Sequence, residues 1–141
     1  MILDTTYFLP LIGIDIDTNL LKAIDNNKAI LTFGDISLSL VTIFELQAKA
    51  AKLGISHDHV INGINAILKG FNVIPFFESD IIRTASELRK KLNDYIDCII
   101  VASAVHHGGK LVTEDKEVLS KKGSLKKTYG IQIYTYKELL K

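Results

Sequence analysis

The sequence has one cysteine, two prolines and almost no net charge, and each shortage excludes something. With Cys98 alone, the chain can form neither an internal disulfide nor a multi-cysteine metal site, which fits a reducing cytosol. A formal net charge of +1 supplies no long-range field. A nucleic-acid partner would therefore have to be held by a local basic patch. No apolar run approaches the roughly 18–20 residues that span a bilayer. The apolar start "MILDTTYFLPLIGI" lacks a basic leading segment and carries Asp4, so it does not read as a signal peptide. No internal repeat, low-complexity tract or Pro/Gly/Ser linker divides the chain. The expectation is one cytoplasmic domain over residues 1–141, with no membrane partner.

Hydrophobic residues make up 48% of the chain and charged residues 23%, enough apolar material for a real core. "MIL" reads as a short buried strand ending at Asp4, and residues 18–27 as a helix capped by Asp17 or Thr18. The alternating "ISLSLV" (36–41) predicts a strand. It gives way to a helix in which Ile43, Leu46, Ala50 and Leu53 recur at helical spacing before Gly54. Ser56 caps a further helix that ends near Gly70. "FNVIPF" (71–76) predicts a strand whose Pro75 marks its end or an edge position. A helix starts at Ser79, another spans 94–107, and Gly108-Gly109 closes it. Strand 110–113, a short helix from Asp115, strand 131–136 and a terminal helical "KELLK" follow. Strands alternating with helices predict an α/β domain of three layers with a mostly parallel central sheet flanked by helices.

Four acids carry the chemistry, and each has a plainer explanation. Asp94 and Asp97 stand where an N-cap and its capping-box partner would open the apolar run "YIDCIIVASAV". Thr42 and Glu45 have the same spacing. Asp4 and Asp115 follow strands, where an aspartate can start a turn or cap a short helix. Position changes the balance. Ligand-binding groups of an open parallel sheet gather outside the carboxyl ends of its strands. Asp4, Glu45, Asp97 and Asp115 can all reach that edge. Two charges about 5 Å apart repel by roughly 3 kcal/mol at an effective dielectric of about 20. A divalent cation removes that penalty, and an all-oxygen donor set suits magnesium or manganese rather than zinc.

The segments "ILDTTYF", "SLVTIFEL", "DYIDCIIVASAV" and "KLVTEDKEV", in this order, resemble the PIN-domain ribonucleases. The size of the chain looks like that of VapC-type toxins from toxin–antitoxin pairs. The resemblance implies a single PIN-like domain and magnesium- or manganese-dependent endonucleolytic cleavage of RNA. It also implies a small VapB-like antitoxin partner and a homodimer. Residue by residue it makes Asp4, Glu45, Asp97 and Asp115 the metal-holding catalytic acids, with a metal-activated water attacking the phosphate. Thr113 would support them by hydrogen bonding, and Asp94 would act as a helix cap beside them.

Lys49 and Lys52 follow Glu45 on its helix face; they suit either an ion pair with Glu45 or contact with RNA phosphates. Arg83, Arg89, Lys90 and Lys91 read as a solvated face, and "KKGSLKK" (121–127) as a basic surface loop. Glu114, next to Asp115 on an extended segment, should point away from it. Two other readings remain open. One is a haloacid-dehalogenase-like phosphatase built on "ILDTT"; the other is an inactive PIN-like protein-binding module whose acids are all caps.

Overall fold

The computed structural model describes residues 1–141. Five strands form one sheet: β1 (Ile2–Leu3), β2 (Ser37–Ser39), β3 (Asn72–Ile74), β4 (Lys110–Val112) and β5 (Gln132–Tyr134). Their spatial order is β3-β2-β1-β4-β5, and every pairing is parallel. Ile2 pairs with both Ser37 and Leu111, so the two-residue β1 is the central strand. The order reverses direction between β1 and β4, which opens a crevice at the carboxyl ends of these strands.

The helices are α1 (Leu20–Asp25), α2 (Leu40–Leu53), α3 (His57–Gly70), α4 (Ser79–Leu88), α5 (Tyr95–His106), α6 (Lys116–Ser120) and α7 (Lys122–Tyr129). A 3-10 helix, Thr5–Ile12, follows β1 directly, and two shorter 3-10 turns lie at Phe33–Asp35 and, near the end of the chain, Lys137–Leu139. Side chains alternate across the sheet, as the pleat requires. Ile2, Leu111 and Ile133 point into a core formed with α4, α5 and α7. Leu3, Leu38 and Val112 point into another formed with the first 3-10 helix, α1, α2 and α3. The sheet is thus covered on both faces, which is why its strands are almost wholly apolar. No helix is long and apolar enough to cross a membrane.

Element order agrees with the sequence pattern, and several local details differ. The strand expected over 36–41 stops at Ser39, because the Ser39 hydroxyl accepts the Val41 N–H at 3.2 Å and starts α2 there. Asn19, rather than Asp17 or Thr18, caps α1 through a 3.0 Å bond from the Lys22 N–H. The basic stretch 121–127 is no loop: it lies mostly within α7, anchored by the fully buried Leu125. The terminal "KELLK" forms only a 3-10 turn.

Two features place the site. Seven consecutive residues of α5, Cys98 to Ala104, are buried, so this helix runs through the interior and its first turn is fixed at the sheet edge. Gly63 of α3 lets the first 3-10 helix approach closely. A methyl group there would lie 2.4 Å from the Leu11 carbonyl oxygen. Close packing of α3 thereby holds the segment that carries Thr5.

Candidate active site

Asp4 leaves the carboxyl end of β1 partly buried, and each of its carboxylate oxygens accepts a hydrogen bond. One oxygen accepts the Thr5 N–H at 2.7 Å and caps the 3-10 helix; the other accepts the Thr113 hydroxyl at 2.7 Å. Burial pushes its pKa up, the two donors pull it down, and Asp115 and Asp94 push it up again; the net direction is upward.

Thr113, just past β4, works in two directions. Its hydroxyl donates to Asp4 while its oxygen accepts the Asp115 N–H at 3.0 Å. Asp115 in turn caps α6 by accepting the Val118 N–H at 3.0 Å. Cap and site residue are the same side chain.

Glu45 is not a capping residue. Because Ser39 caps α2, Thr42 and Glu45 both lie inside the helix, and the expected capping box between them does not form. Instead Glu45 accepts a hydrogen bond from the Thr5 hydroxyl, whose oxygen also lies 3.1 Å from that of Thr42. Burial raises the Glu45 pKa, the Thr5 bond opposes it, and Asp4 and Asp94 add to the rise.

Asp94 and Asp97 separate cleanly. Asp94 is the N-cap of α5, accepting the Ile96 N–H at 2.8 Å. Asp97, in the first turn, does not fold back onto the Asp94 backbone, and no hydrogen-bond donor reaches its carboxylate. Burial, followed by the charges of Asp4, Asp115, Asp94 and Glu45, pushes its pKa up to about 7.

These acids share one cavity of about 210 Å³, lined by Asp4, Thr5, Thr6, Leu9, Glu45, Lys49, Asp94, Asp97 and Asp115. Lys49 stands in its wall without forming an ion pair with Glu45, while Lys52 is exposed and outside it. Glu114 turns away, as alternation along the strand predicts; it accepts from the Tyr7 hydroxyl and, at 2.8 Å, from the Tyr136 N–H. The basic residues of the α4 region are engaged elsewhere: Arg83 with Asp80, Arg89 with the Leu92 carbonyl, Lys91 with Ser124. Cys98 is fully buried. A larger cleft of about 820 Å³ lies between α1 and the C-terminal residues, but it mixes Asp15 and Asp17 with Lys22, Lys28 and Lys141. Size alone does not make it the site.

The donor set fits a hard divalent cation: carboxylate oxygens only, mutually repelling, in a small polar cavity. As placed, however, no three of these acids form a ready-made metal cage. The mutual repulsion that raises Asp97 also favours their separation. Two contributors escaped the sequence reading, Thr5 as a donor to Glu45 and Thr42 as its neighbour. The signal was available as a hydroxyl residue directly after Asp4, but the 3-10 turn that aims it was not.

A family model described as the PIN domain matches residues 1–124, and the chain belongs to the PIN-domain family. No curated protein matches it. Among solved structures, the fold is similar to a chain of FitAcB from Neisseria gonorrhoeae. The identity is 20% and the TM-score 0.65, with 98% of this chain and 99% of that one covered. A chain of VapBC2 from Rickettsia felis, solved bound to a DNA fragment from their promoter, gives 20% identity and a TM-score of 0.64. It covers 95% of this chain and 96% of that one. A toxin–antitoxin complex from Klebsiella pneumoniae gives 23% identity and a TM-score of 0.57, covering 81% and 85%. At these identities the likeness shows the fold. The family match leaves the haloacid-dehalogenase-like reading without support.

Proposed function

We propose that this chain is a magnesium- or manganese-dependent endoribonuclease, the VapC-type toxin of a toxin–antitoxin pair. The observation that carries the proposal is the meeting of four acids from four separate segments, with Asp97 pushed up to about 7 by burial and by the other acids. So many like charges in one cavity are costly, and acids perturbed by burial and by one another in a cleft mark a candidate functional site. Asp4, Glu45, Asp97 and Asp115 would hold the cation, and Thr113 would keep Asp4 and Asp115 in register. A bound divalent ion would polarise a phosphoryl oxygen and supply a water acidic enough to hydrolyse the phosphodiester. Asp94 fixes the start of α5 and so the place of Asp97. Lys49, at the cavity wall, would meet a backbone phosphate of the RNA. Lys52 would meet one further out.

Residues 1–141 would form one PIN-like domain acting as a homodimer in the cytoplasm, restrained by a small VapB-like antitoxin. The solved toxin–antitoxin complex that shares the fold supports the antitoxin partner. The test is incubation of the purified chain with a labelled single-stranded RNA. Cleavage should require magnesium or manganese, stop with a chelator, and be lost in Asp97→Asn while that variant stays folded. Cleavage that survives both chelation and the substitution contradicts the proposal. Absence of both cleavage and ion binding would restore the reading as an inactive binding module.

A further inference from the structure

The hydroxyls of Thr5 and Thr42 form a short chain that ends on Glu45, and its direction can be deduced. A threonine hydroxyl carries one proton. The Thr5 proton is used on the Glu45 carboxylate. With Glu45 in its charged, ion-binding form, the 3.1 Å contact between the Thr5 and Thr42 oxygens is a bond donated by Thr42. Thr42 is fully buried and Thr5 nearly so. The Thr42 hydroxyl makes its one side-chain hydrogen bond here, so its burial is balanced only while Thr5 is present.

Thr5 also spends its backbone N–H on Asp4, at 2.7 Å. One residue therefore fixes two acids, Asp4 at the end of β1 and Glu45 on α2. Glu45 has a long, rotamer-rich side chain, and left alone it would pay entropy to hold one position. A β-branched threonine is stiff at χ1 and loses little by supplying a fixed donor. Thr5 is buried by its own packing in the 3-10 helix, so it is placed whether or not anything occupies the cavity.

We propose that Thr5 is the positioning residue of the acid site, holding Glu45 in its ion-binding orientation through a hydroxyl relay anchored by Thr42. This rests on the reading of the acids as a divalent-cation site. The probe is manganese alone, titrated calorimetrically into the metal-free chain and four variants, each checked for an unchanged fold by circular dichroism. Thr5→Val should weaken manganese binding about 10- to 100-fold, as loss of an outer hydrogen-bond partner does at metal sites. Thr5→Ser, which keeps the hydroxyl, should stay within about 3-fold of the parent. Thr42→Val should fall between these. In the double variant Thr42→Val should add nothing to Thr5→Val, because it acts through that hydroxyl.

A folded Thr5→Val that binds manganese like the parent overturns the relay, and so does additivity of the two valine substitutions. Should Thr5→Val fail to fold, Thr42→Val decides, and parent-like binding by it also overturns the relay. If the parent chain itself binds no manganese, the cation-site reading falls and takes the relay with it. A parent that binds the ion and cuts RNA beside an unaffected Thr5→Val removes the relay alone.

Discussion

The two sides of the acid cavity are built on opposite principles. On the sheet side, Asp4, Glu45 and Asp115 are tied into place by Thr5, Thr113 and backbone N–H groups. On the α5 side, Asp97 has no hydrogen-bond partner, although its helix buries seven consecutive residues. Bonded carboxylates keep part of the stabilisation that burial removes; Asp97 keeps none, and its pKa rises to about 7. A preorganised frame thus faces one uncompensated acid. An incoming cation would have to draw these acids together, and would relieve Asp97 of its repulsion.

The contrast can be broken from either side. Asp97→Asn removes the uncompensated charge and should have the largest effect on RNA cleavage, a loss of about 100-fold or more under saturating substrate. Thr113→Val attacks the frame. It strips Asp4 of a donor and leaves the Asp115 N–H without its acceptor. Manganese affinity should fall about 10- to 100-fold, and chemical denaturation should show about 1–3 kcal/mol of lost stability.

A smaller effect concerns pH. The folded-state pKa of Asp97 lies above its ordinary value, so the folded chain binds more protons than the unfolded one between about pH 4 and 7. Stability of the metal-free protein from this source is complete below about pH 4 and is lost as pH rises through about 7. Asp4 and Glu45, also shifted upward, act in the same direction. Thermal melts without metal should fall with pH in the parent and be flatter in Asp97→Asn. At pH 8 the variant should be the more stable by about 1 kcal/mol, since solvent screens this half-exposed group. The smallest effect is expected at the rim. Lys49→Ala should raise KM for RNA a few-fold and leave kcat nearly unchanged, as loss of a single exposed phosphate contact does.

Much of this was legible in the chain. Element order followed from apolar periodicity, and the carboxyl-edge position of the acids from strand–helix alternation alone. Asp94 and Asp115 were readable as caps because capping is local, a matter of side chain and backbone two or three residues apart. The Thr42–Glu45 pairing misled because the same spacing fits a capping box; only Ser39, ending β2 early, decides where α2 begins. The 3-10 helix Thr5–Ile12 left no 3.6-residue pattern, being apolar from Tyr7 onward and containing Pro10. Without it, Thr5 had no direction. α7 escaped for the opposite reason: it buries only Leu125, too little for a periodic signal. Contacts that cross 37 to 109 positions, such as Thr5–Thr42 and Thr113–Asp4, follow from the assembled sheet and not from any window of sequence.

The central claim is that Asp97 is a protonatable, unpartnered acid which a divalent cation would bring into its charged form. Calorimetric titration of manganese at about pH 6.5, repeated in two buffers of different ionisation enthalpy, counts the protons released per ion bound. The parent should release more than Asp97→Asn by most of one proton. Equal proton release in the two proteins would contradict it.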